Sequence, residues 1–146
     1  MLLFLLLGAA FAMPSSARKH KEKKAEAPKI TTIYIFGVAK ELNDSVVYLS
    51  SITPVAGASL HKHNVLENRM YYSEQFRNYV ENTYSLPHQT VAVFYSKKRE
   101  KVEKKFAKVQ AKMNRHSYRK PVFKNVSADD FHFKVPKIIM ADDGEF

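Results

Sequence analysis

The chain has 146 residues, is 45% hydrophobic and 12% aromatic, and contains no cysteine. That composition belongs to a globular protein, and it excludes disulfide staples, thiol catalysis and lipid attachment through cysteine. Lys and Arg number 24 against 14 Asp and Glu, a net charge of +10, which favours polyanionic partners such as acidic headgroups, anionic glycans or nucleic acid.

The first twelve positions, Met1 to Ala12, form an apolar run without a charge that closes on the small-x-small triplet Ala10-Phe11-Ala12. A bilayer span needs roughly 20 apolar residues, so the run fits the hydrophobic part and cleavage site of a secretory signal peptide instead. The alternative is a buried first helix or strand of a cytosolic domain. Against it, Pro14-Ser-Ser and the tract from Arg18 to Lys24 follow at once, and a core element rarely runs into such polar, structure-breaking sequence. The chain is therefore expected to be exported, to the periplasm, the outer envelope or the medium, with no transmembrane span after cleavage. Residues 13–29 read as a flexible basic tether, 30–136 as one domain and 137–146 as a C-terminal tail.

Within the domain, Ile30–Ala39 is rich in β-branched and aromatic residues and predicts a strand. A turn at Asn43-Asp44 leads to a second strand over Ser45–Ile52, which suggests an antiparallel hairpin. Thr53–Ser59, with Pro54 and Gly57, reads as a loop. From about Val65 to Thr83, Tyr72, Phe76, Tyr79 and Val80 fall on one stripe and predict a helix, ended by Leu86-Pro87. Gln89–Tyr95 is apolar on both faces and predicts a central strand. Val102, Phe106, Val109 and Met113 recur at four, three and four, marking a second amphipathic helix with Ser96 placed to cap it. Lys120-Pro121 marks its exit, and Asp129–Val135 alternates as a last edge strand.

The expected order is β-β-α-β-α-β, an α+β fold of two layers with a small mixed four-stranded sheet and both helices on one face. That arrangement leaves Tyr34, Phe36, Tyr48 and Tyr95 on an open sheet face, where an aromatic surface would serve a protein partner. The succession of Asn43–Ile52, Tyr71–Val80 and Thr90–Met113 resembles small exported proteins of Bacteroidota bacteria. The resemblance covers most of the folded part. It implies an envelope location and no catalytic or binding residue.

The strongest functional signal is the junction after Tyr95 and the helix behind it. Lys97, Lys101, Lys104, Lys105, Lys108, Lys112 and Arg115 gather on one flank of the apolar stripe, with Glu100 and Glu103 on the other. Lys97, Lys98 and Arg99 stand at the helix start, where the macrodipole is already positive and exposed cations are unfavourable by about 0.3–1 kcal/mol each. Ser96, Lys97, Lys98, Arg99, Lys101, Lys104, Lys105, Lys108 and Lys112 are thus candidates for an anion site built from backbone N–H groups and charge. The plainer alternative is a solvated face of good helix formers with an i,i+4 pair between Glu100 and Lys104. No glycine-rich phosphate loop is present, so any site is a shallow electrostatic patch.

Two further features were weighed. His61 and His63 would point the same way on extended backbone, but two imidazoles lack the further ligands a metal needs. No Gly-x-Ser-x-Gly or His-Glu-x-x-His pattern occurs, and the acidic pairs Asp129-Asp130 and Asp142-Asp143 suit turns and a solvated tail. The sequence therefore points to a binding domain, with no cofactor or metal and no enzymatic role. Its expected partner is an anionic lipid or glycan surface, a protein partner comes second, and nucleic acid comes last because export removes it from reach.

Overall fold

The computed structural model describes residues 26–137. The apolar leader, most of the basic tether and all of the C-terminal tail after residue 137 lie outside the described residues. Strands β1 (Lys29–Lys40), β2 (Val46–Ser50), β3 (Thr53–His61), β4 (Val65–Leu66), β5 (Thr90–Ser96) and β6 (Val122–Val126) form one six-stranded sheet. Helix α1 (Arg69–Tyr84) lies between β4 and β5, and helix α2 (Arg99–His116) between β5 and β6. The α+β class expected from the sequence holds. The sheet is larger than four strands, and the loop expected over Thr53–Ser59 is strand β3.

Strand β1 is the spine of the sheet. It pairs antiparallel with β5 through Tyr34–Lys40, while β2 and β3 divide its other edge between them. From Ile35↔Thr53 to Val38↔Leu49, three steps along β1 face four along β2–β3, so the long second strand carries a one-residue bulge. There the amide of Gly37 donates to the Ser50 hydroxyl at 2.7 Å, which replaces the interrupted ladder bond in the core. A second bulge lies between Thr31 and Ile33. These irregularities break the alternation that reveals a strand. Pro54 is tolerated because the outer edge of β3 pairs β4 only at Leu60 and His61.

The two helices cover opposite faces, which corrects the two-layer expectation. Ile33, Ile35 and Ala39 pack with Tyr72, Phe76 and Val80 of α1. Phe36 and Val38 pack with Val102, Phe106, Val109 and Met113 of α2. Alternation along β1 puts these sets on the two sides of the sheet. The physical reason is topological. Strands β3, β5 and β6 all run antiparallel to β1, so α2 crosses between parallel strands, and α1, entered through the short return strand β4, carries the chain from β3 to a β5 parallel with it. The first traverses β1 toward β5, and the second returns across β1 and β2 to β6. Crossovers of one hand that travel in opposite directions must use opposite faces.

This placement also removes the expected aromatic surface. Phe36 and Tyr48 are buried, on different sides of the sheet, and Tyr34 and Tyr95 are half-buried. The segment Asp129–Val135, expected as a strand, has no sheet partner and crosses α1 instead. The Gln75 side-chain amide donates to the Lys134 carbonyl at 2.7 Å and accepts from the Lys134 amide at 2.9 Å, standing in for a neighbouring strand. Phe131 and Phe133 thereby close over Phe76, with ring centroids 5.1 and 6.2 Å away. The sixth strand is the preceding run Val122–Val126, parallel to β2.

Candidate functional site

The edge of β5 and the start of α2 meet the β3–α1 connection around a groove of about 650 Å³. Its floor is Tyr95. The Tyr95 hydroxyl donates to the Asn64 carbonyl at 2.9 Å and accepts from the Leu66 amide at 2.9 Å. That pair of hydrogen bonds anchors a tight turn in which His63 (φ 62°) and Asn64 (φ 58°) are both left-handed, a conformation non-glycine residues adopt at a cost. Asn68, just before α1, has φ 57° as well. The backbone bent by these residues carries His63 and Arg69 to the groove wall.

The opposite wall comes from Ser96, Lys97, Lys98, Lys101 and Lys105, at the end of β5 and the first turns of α2. Among the described residues no acidic side chain lines this cavity. Two of its cations are fixed by the open edge of β5. Arg69 Nη2 donates to the Val93 carbonyl at 2.8 Å, and Lys105 Nζ donates to the Tyr95 carbonyl at 3.0 Å. Both cations also approach the Tyr95 ring, at 5.7 and 6.0 Å from its centroid. Further along the same edge, Arg77 Nε donates to the Gln89 carbonyl at 3.2 Å and Glu81 Oε1 accepts from the Gln89 amide at 3.0 Å. The edge strand is thus closed by charged side chains, a device that discourages strand addition.

A smaller cavity of about 200 Å³ continues the groove past Lys97 toward Lys62 and Lys29. His61 stands there, with Nε2 at 3.5 Å from Glu67 Oε1. Among the described residues no group of three or more His, Cys, Asp or Glu is placed to hold a metal ion. The tyrosines with raised hydroxyl pKa values, Tyr48, Tyr72 and Tyr79, owe the rise first to burial and belong to the α1 face, not to the groove.

Of the residues expected at an anion site, the fold brings Ser96, Lys97, Lys98, Lys101 and Lys105 together. Ser96 is not the helix cap: Lys98 holds that position without a side-chain cap bond, and Ser96 Oγ accepts from the Lys98 amide at 3.3 Å, ahead of the helix. Arg99 is drawn to the other flank of α2, where it pairs with Glu103 at 3.2 Å and lies 5.9 Å from the Tyr34 ring centre. Lys104, Lys108 and Lys112 are exposed on α2 outside the groove lining. Arg69 and His63 are the wall residues that sequence reading missed, because nothing in their local sequence shows that the β3–α1 connection folds back over Tyr95.

No protein-family model, curated protein or solved structure matches this chain. The chemistry of the groove must therefore be read from its own side chains. Lysine ammonium groups and an arginine guanidinium offer donors only, so the groove is complementary to acceptor-rich anions: phosphate, sulfate or carboxylate.

Proposed function

We propose that this chain is an exported, non-catalytic binding domain that holds the anionic groups of an envelope surface or glycan. The observation that carries this reading is the convergence of Arg69, Lys97, Lys98, Lys101 and Lys105 on one cavity with no acidic residue in its lining among the described residues. Like charges gathered at this density repel one another, and an anionic ligand relieves that repulsion. The groove is open to solvent, so binding is electrostatic, driven by counterion release and selective for charge density more than for shape. The closed edge of β5 favours ligands that accept hydrogen bonds from side chains over peptides that would add a strand. A nucleic-acid strand is disfavoured on a second ground: Tyr95 has its hydroxyl bonded and cations at its ring, so it offers no open stacking platform for bases.

The test is calorimetric binding of a soluble sulfated polysaccharide across a salt series. Raising salt from about 50 to about 200 mM should weaken binding about tenfold or more. Reversing two groove lysines together, Lys98→Glu with Lys101→Glu, should abolish measurable binding while the far-UV circular dichroism stays unchanged. Affinity that ignores salt, or that survives the double reversal, overturns the proposal.

A further inference from the structure

The sheet extends beyond the helix that covers it. Helix α2 starts beside Tyr34, where Arg99 meets the ring, but β1 and β3 continue together from there to the pair Lys29↔Leu60. On the α1 side of this extension Ile33, Val55, Ala58, Leu60 and Leu66 are buried. Alternation then turns Ile30, Pro54, Ala56 and Val65 to the α2 side, where all four are exposed. Ile30 is 67% and Val65 54% accessible. Met70, 69% accessible, stands beside Arg69 at the start of α1. One end of the molecule therefore combines exposed apolar side chains with the cationic groove.

Isolated exposed apolar residues are ordinary, but at this end Lys29 precedes Ile30 and Arg69 precedes Met70 in the chain, and Lys29, Lys62 and Lys97 line the smaller cavity together with Glu26. Apolar groups flanked by lysine and arginine match the interfacial zone of a bilayer with acidic headgroups, where the stems and apolar tips sit below the charges. A second observation gives the same direction. The chain enters β1 at Lys29, so the tract containing Arg18, Lys19, Lys21, Lys23 and Lys24 joins the domain at this end, within a few residues of the exposed sheet.

We infer that the open end of the sheet, with Ile30 and Val65 as its apolar contacts, docks on the surface of a membrane rich in acidic phospholipid while the adjacent groove takes the headgroups. This rests on the anion-binding reading of the groove and adds the identity of the surface.

The experiment is co-sedimentation of the full chain with vesicles of phosphatidylcholine alone and of phosphatidylcholine with about one third phosphatidylglycerol, beside the sulfated-polysaccharide titration. Whatever the apolar leader contributes is read on the neutral vesicles and is common to all variants. The full chain should prefer the acidic vesicles by about tenfold or more. Ile30→Ser with Val65→Ser should lose about tenfold on acidic vesicles and keep polysaccharide affinity within twofold. Lys98→Glu with Lys101→Glu should lose both. Equal binding to the two vesicles, or acidic-vesicle binding untouched by the serine pair, overturns the membrane inference and leaves the groove reading standing. Retention of both ligands by the glutamate pair overturns the groove reading itself. Both serine positions are exposed, and a thermal melt confirms that each variant is folded.

Discussion

The two faces of the sheet are covered on different terms. Helix α1 buries Tyr72, Phe76 and Val80 completely, and Phe131 and Phe133 from the C-terminal segment close over them. Helix α2 buries Val102 alone, with Phe106, Val109 and Met113 half-buried. Aromatic packing that excludes water on both sides stabilises far more than a stripe that stays at the edge of solvent. The α1 face holds the fold together. The α2 face needs only enough apolar contact to keep a row of cations beside the edge of β5.

That contrast predicts a graded series of stabilities. Phe76→Ala should be the most damaging single change, costing about 3–5 kcal/mol in chemical denaturation, because the ring touches both sheet and C-terminal segment. Gly37→Ala should follow at about 1–3 kcal/mol, since an added Cβ would stand 2.6 Å from Phe76 Cδ1 and the packed ring has little room to yield. Phe106→Ala, on the α2 face, should cost less than Phe76→Ala, about 1–2 kcal/mol, because its ring is already partly in water. Equal losses at the two phenylalanines would erase the distinction between the faces. Smallest in stability but most local is Tyr95→Phe. It leaves the Leu66 amide without its partner, at about 1 kcal/mol, and should speed hydrogen exchange at Leu66 while exchange in α1 is unchanged.

Much of this organisation was legible in the sequence, for identifiable reasons. The stripe of Val102, Phe106, Val109 and Met113 reports α2 because helix period and burial coincide there. The run Ile33–Ala39 reports β1, and its being apolar at every position is also the mark of a strand covered on both faces. The same property favours helices on two sides, and the crossover rule agrees once the direction of each traverse is fixed by the strand order. Strand β3 stayed hidden because Pro54, Gly57 and a bulge interrupt its alternation. Strand β6 stayed hidden because Lys124 and Asn125 make it look like a connection. At the site, the lysines close in sequence were visible as a cluster. Arg69 and His63 were not, because a wall assembled from segments about thirty residues apart has no local signature.

One feature of the groove links its chemistry to the behaviour of the chain in concentrated solution. Arg69 and Lys105 bond the outward carbonyls of β5, a strand whose one sheet partner among the described residues is β1. An unguarded strand of this kind is a template on which a second chain can grow. The cations proposed to attract a ligand thus also guard this edge against neighbouring molecules. On the proposed reading, a chain stripped of these two would lose anion binding and acquire an adhesive border in the same step, whereas Lys98 and Lys101 can be altered without touching that guard. On that reading the groove's charge protects the edge as well as holding the anion.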